Sequence, residues 1–140
     1  MLETVKLRGR LVIRMNGEIV REVDNLVVTA GKGFVASRMA GAAVSVMSHM
    51  AVGTDNTAAA LGQTALVTEI GRVALTSGVA TGDEVEYVAT FPSGVGTGSL
   101  TEAGIFNATP AGTMLCRTVF ATITKALYDA MTVTWTVTVG

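Results

Sequence analysis

The last nine residues, TVTWTVTVG at positions 132–140, alternate threonine with apolar side chains up to the final glycine. Side chains on a β-strand point to opposite faces with a period of two. Val133, Trp135 and Val137 are therefore expected on one face, and the threonines on the other. The stretch predicts a strand that packs an apolar face into a core and presents a row of threonine hydroxyls on its other side.

Upstream of this strand, short apolar or alternating runs are separated by glycine, serine and aspartate turns. They predict strands over 46–53, 72–78, 84–92, 99–107, 113–121 and 131–139. With an N-terminal hairpin, the chain would have about eight strands. Short, evenly spaced antiparallel strands are typical of a β-sandwich. The predicted fold is therefore mainly β: one domain over residues 1–140, a jelly-roll β-sandwich of about eight antiparallel strands with one short helix.

Residues 1–25 are predicted to form the N-terminal hairpin, because Asn16-Gly17 separates two alternating runs. A three-residue loop that includes Met15 is expected, since it pairs opposite charges across the strands. The expected pairs are Arg14 with Glu18, Arg10 with Glu22, and Arg8 with Asp24. A two-residue loop would instead set Arg14 against Ile19 and Leu11 against Glu22.

The hairpin is also unusually basic, with five of the ten lysines and arginines of the chain. Arg8, Arg10 and Arg14 are candidate contacts to an acidic partner surface. The alternative is a solvated strand face that the acidic residues of the hairpin neutralise.

A helix is predicted over residues 29–41, TAGKGFVASRMAG, with Thr29 as its N-cap and Gly41 as its stop. Phe34, Val35, Arg38 and Met39 have helical spacing. The remaining strands are expected within residues 46–140.

Charged residues make up 15% of the chain, against about 25% in an average soluble protein, and the mean hydropathy is +0.51. Either threonine, serine and glycine cover the surface, or part of it is buried against other subunits. A net charge of -1 argues against direct nucleic-acid binding. No apolar run is long enough to span a membrane, and no secretory signal is recognisable. With its single cysteine, the chain is expected to be made in a reducing cytoplasm.

No catalytic, cofactor or metal motif is recognisable, so we predict a protein that is not an enzyme and has no cofactor. His49 is the only histidine, and Ser48 is expected to point to the opposite side of its strand. Cys116 is expected to be a small buried side chain. Glu84 and Glu86 are expected to share one strand face, either as a weak cation site or as a solvated strand end.

Several segments of the chain occur in an order that resembles a recurring domain of bacteriophage virion proteins. They are HMAVGTDNTAAALGQTALVTEIGRVALTS, VEYVATFP, LTEAGIFNA, MLCRTVF and ITKALYDAMTVTWTVTV, preceded by NLVVTAGKGFVASRM. The shared motifs include T-x-L-x-x-E-x-x-R, EAG-(I/L)-FN and L-x-R-x-x-F. The similarity runs over residues 25–140. In length and content the chain most resembles the capsid cement, or decoration, proteins of short-tailed phages of the Bordetella phage type.

This resemblance implies a jelly-roll fold, a symmetric homodimer and attachment to the outer surface of an icosahedral capsid. The expected function is a structural virion protein that stabilises the shell by bridging neighbouring subunits, with the phage major capsid protein as its partner. A tail-fibre or appendage module is the alternative, although no stalk or receptor tip is recognisable. No nucleic acid or membrane is expected as a partner, and synthesis is expected in the host cytoplasm. The candidate assembly contacts are Arg8, Arg10, Arg14, Thr132, Thr134 and Thr136.

Overall fold

A computed structural model of the chain describes residues 6–140; residues 1–5, at the start of the predicted hairpin, lie outside the described residues. The described part contains nine strands and one helix. Their bounds are β1 (Leu7–Met15), β2 (Glu18–Val27), α1 (Thr29–Met39), β3 (His49–Gly53), β4 (Glu69–Ala74), β5 (Ser77–Thr81), β6 (Glu84–Phe91), β7 (Gly98–Phe106), β8 (Met114–Lys125) and β9 (Met131–Val139).

All nine strands join one antiparallel sheet in the order β4-β3-β7-β8-β2-β1-β9-β6-β5. The two strands at its ends, β4 and β5, are connected by only two residues, Leu75 and Thr76. Because so short a connection keeps both end strands close together, the sheet has to curl. The chain is thus mainly β with one helix, as predicted. The jelly-roll sandwich is not confirmed, since hydrogen bonds join all the strands into a single curled sheet.

Strand β2 makes this continuity possible. Its first part pairs with β1 as far as Asn25, and its last two residues, Leu26 and Val27, pair with β8. One long strand therefore belongs to both halves of the sheet, whereas the predicted sandwich would have two separate layers.

The predicted strand over 72–78 is wrong, because the sheet turns a corner inside it. Leu75 N donates to Ser48 O at 2.9 Å, and Thr76 N donates to Val88 O at 2.7 Å. These bonds mark the end of β4 at one end of the strand order and the start of β5 at the other end. Apolar residues continue into this corner, so the sequence pattern does not show that one strand ends and another begins there.

The hairpin turn differs from the expected three-residue loop. Asn16 and Gly17 form a two-residue turn with φ angles of 50° and 89°, which suits an Asn-Gly hairpin. The strand register then shifts between Ile13 and Arg14. Because the turn has two residues, Arg14 lies opposite Ile19 instead of Glu18.

This shift is a β-bulge, in which Val20 is the extra residue of β2. It restores the apolar pair of Leu11 with Val23 that a regular two-residue hairpin would lose. It also sets Arg10 opposite Asp24, not Glu22. Arg8, predicted opposite Asp24, lies beyond the last residue pair that joins β1 and β2.

Helix α1 packs across the concave side of the sheet at a glycine. A Cβ atom on Gly31 would lie 2.0 Å from the backbone oxygen of Leu115, so only glycine permits this approach. Val28 is the N-cap, which corrects the prediction of Thr29; Thr29 N donates to Leu61 O at 2.9 Å. Gly41, with a φ of 74°, follows the helix end.

The core lies inside the curl and is centred on β9. Val133 and Trp135 are fully buried and Val137 is 5% exposed, as the alternation predicts. Leu11 of β1 and Tyr87 of β6 flank Trp135 on the two neighbouring strands. These contacts fix which side of β9 faces outward.

Candidate functional site

The threonines of β9 lie in the middle of a polar surface that we call the outer face. It is the side of strands β5, β6, β9, β1 and β2 that points away from Trp135. The strand register arranges its central side chains in rows, each with one residue from β1, one from β9 and one from β6. The rows are Arg8 with Thr138 and Glu84; Arg10 with Thr136 and Glu86; Val12 with Thr134 and Val88; and Arg14 with Thr132 and Thr90.

The structure brings all six candidate contact residues onto this one face. Arg8, Arg10 and Arg14 form a basic column on β1, and Thr132, Thr134 and Thr136 form the adjacent column on β9. The threonines are partly buried, because longer side chains stand on both sides of them. Thr90 and Thr132 hydrogen-bond across β6 and β9 through their hydroxyls, at 3.1 Å.

An acidic column completes the face. Glu84 and Glu86 lie on β6, on the far side of the threonines from Arg8 and Arg10. The sequence indicated that these two glutamates share a strand side. It did not indicate that they stand in the same rows as the arginines, because that depends on β9 lying between β1 and β6.

Within the hairpin, Arg10 is the best paired of the arginines. It lies 3.6 Å from Glu22 and 3.4 Å from Asp24, and its side chain remains 56% exposed. Among residues 6–140, Arg8, Glu84 and Glu86 form no ion pair. Part of the charge on this face is thus neutralised locally and part faces solvent.

A cleft of about 630 Å³ opens at the Arg8 end of the outer face. Its wall combines basic, acidic and hydroxyl groups: Arg8, Arg10, Lys32, Asp24, Glu84, Thr136 and Thr138. At its inner side the Trp135 indole donates to Asn25 Oδ1 at 2.9 Å. This mixture of charges fits a surface of mixed charge better than a simple anion.

A second cluster of charges is buried instead of exposed, and it lies on β7 and β8. Arg117 of β8 donates to Glu102 Oε1 of β7 at 2.9 and 3.1 Å, and both side chains are 0% exposed. Arg117 also donates to Thr57 O at 2.8 Å. The guanidinium therefore joins the two strands to the long connection that follows β3.

Glu102 holds the same connection, residues 54–68, from the other side. Its carboxylate accepts backbone N–H groups of Asp55 at 3.1 Å, Val67 at 2.9 Å and Thr68 at 2.8 Å. Because both ends of the segment bind one carboxylate, a 15-residue connection without regular structure is held against the sheet. Backbone donors that are buried need such partners.

Arg72 makes a comparable clamp near the end of β7. Its guanidinium stacks 3.9 Å from the ring centre of Phe106 and pairs with Glu69 at 2.6 and 3.0 Å. It also donates to the backbone oxygens of Ala108 and Ala111. The arginine thereby fixes the connection between β7 and β8.

Ser48 and His49, which were considered as catalytic candidates, are not arranged as predicted. Ser48 Oγ lies 2.7 Å from His49 Nδ1, so the prediction that they point apart is wrong. Ser48 precedes β3, and strand alternation does not apply to it. No carboxylate among residues 6–140 hydrogen-bonds to the His49 ring. Cys116 is fully buried, and burial raises the pKa of its thiol well above the usual range.

In the part of the chain that the structure describes, no group of three or more histidine, cysteine, aspartate or glutamate side chains is placed to hold a metal ion. The helix within residues 6–140 has neither the length nor the apolar character to cross a membrane.

Comparisons with protein-family models, with curated proteins and with solved structures each give no match to this chain.

Proposed function

We propose that this chain is a structural virion protein that decorates an icosahedral phage capsid and stabilises it by bridging neighbouring capsid subunits. Its partners would be the major capsid protein and a second copy of itself, and its location would be the outer surface of the virion. The observation that carries this proposal is the outer face, where columns of arginine, threonine and glutamate stand side by side. Such a face offers many specific polar contacts to a partner surface.

The sequence motifs behind the phage resemblance support the proposal at the level of architecture. Glu69 and Arg72 belong to T-x-L-x-x-E-x-x-R, Glu102 to EAG-(I/L)-FN, and Arg117 to L-x-R-x-x-F. In the structure these four residues form the two charged clamps. The motifs therefore describe how the long connections are held on the sheet, which any protein with this architecture needs. The jelly-roll arrangement stays part of the proposal, supported by the two half-sheets that meet at β2.

A decoration protein works through mass action. It binds the assembled shell and not the free subunits, so each bound copy makes disassembly less favourable by its binding free energy. Threonine is well suited to such contacts. It favours strands, has no charge to desolvate, and bonds through its hydroxyl as Thr90 and Thr132 do.

A tail-fibre or appendage module is the second candidate, because the same motifs resemble those domains. It predicts a trimer and binding to tail components. The outer face does not separate the two candidates, but their binding partners do.

The direct test is cosedimentation of the purified chain with undecorated capsids of the phage that encodes it, followed by heat challenge of the shells. The proposal predicts saturable binding and shells that open at a higher temperature. Binding to isolated tails without binding to shells would favour the appendage candidate. Binding to neither would contradict both.

A further inference from the structure

We propose that the outer face binds a second copy of this chain about a twofold axis that runs parallel to β9. The inference rests on the proposed function, because it treats the outer face as an assembly surface. It names a second copy of this chain as the partner that binds this face. It adds which strands meet, in which direction, and which charges pair.

The axis is inferred from the arrangement of the rows on the outer face. Rotation by 180° about a line parallel to β9, above the threonine column, keeps each residue at its own height and exchanges the β1 and β6 sides. Arg8 then faces Glu84 of the partner copy, and Arg10 faces Glu86 of the partner copy. Each pair occurs twice by symmetry, so the interface would hold four opposite-charge contacts.

The remaining rows are compatible with the same arrangement. Val12 faces Val88 of the partner copy, and both valines are partly buried in the isolated chain. Arg14 faces the Thr90 hydroxyl of the partner copy. Along the axis each threonine meets its own counterpart, and short side chains there let the longer arginines and glutamates interdigitate on either side.

The charges also disfavour a twofold axis perpendicular to β9. Such an axis would keep the β1 column above the β1 column of the partner. Arg8 would then lie opposite Arg14 of the partner copy, and Arg10 would lie opposite Val12 of the partner copy. Like charges placed opposite each other are repulsive. Only the axis parallel to β9 places each column against its opposite.

The neighbouring strands bring no like charges together. Asp24 of β2 lies in the row of Arg10, and Val79 of β5 lies in the row of Glu86. The proposed rotation sets Asp24 against Val79 of the partner copy, and Glu22 against Ser77 of the partner copy. No two acids meet. Val79, at 57% exposed, would lose accessible surface.

The size of the patch allows a weak, reversible dimer. Five strands about 4.8 Å apart and four rows about 7 Å apart cover at most about 500 Å² on each copy, or about 1,000 Å² in total, because the outer face is the convex side of the curled sheet and its margins curve away from a partner. Interfaces of this size belong to weak or transient complexes. Because the interface would include four ion pairs at a hydrated surface, we expect association to weaken as salt rises.

Charge exchange at one row tests the inference. Arg8→Glu and Glu84→Arg each place like charges together twice, and each should weaken dimerisation at least about tenfold in sedimentation velocity. The double variant Arg8→Glu/Glu84→Arg restores opposite charges and should dimerise as the natural chain does. Glu18→Arg is the matched control for Glu84→Arg, since it makes the same charge change at the hairpin tip and should have no effect.

Three results would overturn the inference: a natural chain that stays monomeric, single variants that dimerise normally, or a double variant that stays as weak as the single ones. Matching circular dichroism spectra establish that the variants fold. Because all four proteins can also be tested for shell binding, the two proposals fail separately. A monomer that binds capsids contradicts the dimer and leaves the capsid-decoration role standing, and a dimer that binds neither capsids nor tails contradicts only that role.

A second readout does not depend on charge. Thr136→Cys would place a thiol beside the proposed axis, where a short bis-maleimide should join two copies. Thr124→Cys, exposed on β8, is the control and should give little product. The natural Cys116 is fully buried and should not react in the folded chain. Equal cross-linking at both positions would contradict the assigned face.

Discussion

Arginine meets carboxylate in two regions of this molecule, and the two settings have opposite consequences. Arg117 and Glu102 are both 0% exposed and 2.9 Å apart, and their remaining hydrogen-bonding groups bind the 54–68 connection. Arg10 lies 3.4 and 3.6 Å from two hairpin acids, with more than half of its side chain exposed. Buried charge cannot be left unpaired, whereas exposed charge can change partners at little cost.

This contrast indicates where stability and assembly are determined. The interior pair is fully satisfied within the chain and holds a segment that has no regular structure. The outer face keeps arginines and glutamates in separate columns, where a partner surface is able to reach them. Substitutions in the first region should therefore change unfolding, and those in the second should change association.

The largest effect on stability is expected from β9, where alternate residues point into the core and onto the outer face. Trp135→Ala removes a fully buried side chain and should cost about 3 to 5 kcal/mol of unfolding free energy. It also removes the donor to Asn25 Oδ1. Because the total stability of a domain is about 5 to 15 kcal/mol, we expect a largely unfolded protein by circular dichroism. A soluble, cooperatively folded Trp135→Ala chain would contradict this.

The next effect tests the buried pair. Arg117→Met leaves the Glu102 carboxylate buried without its cation and should cost about 3 to 5 kcal/mol in urea unfolding. Limited proteolysis should then cut first within residues 54–68, which the pair holds. Arg10→Met is the matched control on the outer face and should cost about 1 kcal/mol or less. Equal losses for both arginines would remove the distinction between the two regions.

A smaller change in stability is expected from Thr134→Lys at the centre of the outer face. Its side chain is partly exposed, so the unfolding free energy should change by about 1 kcal/mol or less. Two lysines would meet at the proposed axis, and association should be lost. Thr134→Ser is the conservative control for sedimentation. A folded Thr134→Lys chain that associates normally would show that this face is only solvated.

The smallest effect concerns Asp129, at the turn before β9. Hydrogen bonds from the Asn16 side chain and the Ala126 N–H lower the pKa of its carboxyl below the usual range. Its contribution to stability is therefore present above the unfolded pKa of about 3.9 and is lost as the pH falls through the lower folded pKa.

Thermal unfolding of Asp129→Asn should accordingly show a shallower loss of stability between neutral and acid pH than the natural chain. Glu18→Gln, whose side chain is exposed at the hairpin tip, is the control and should follow the natural chain. Parallel pH profiles for Asp129→Asn and the natural chain would contradict the assignment.

The sequence was sufficient for features that depend on local periodicity. Alternation in β9 predicted that Trp135 is buried and that the threonines lie on the other side, and Asn16-Gly17 predicted the hairpin. The bulge at Val20 was missed, because pairing opposite charges favoured a different register. In the structure, the apolar pair of Leu11 with Val23 is retained and Arg14 loses its expected acidic partner.

Features that depend on strand order were not predictable in the same way. Glu84 lies 76 residues after Arg8 in the chain, and their common row exists only because β9 pairs with both β1 and β6. The burial of Glu102 and Arg117 is equally nonlocal, although both occur in the motifs on which the proposed phage resemblance rests. The candidate contacts Arg8, Arg10 and Arg14 could be named from the sequence, but their acidic counterparts could not.

The most direct test of the account is sedimentation equilibrium of the natural chain over increasing protein concentration, at low and at high salt. We expect a reversible monomer–dimer equilibrium that weakens in high salt, because the outer face pairs its arginines with glutamates of a second copy. A monomer at every concentration, or a dimer that salt does not affect, would contradict the role assigned to the outer face.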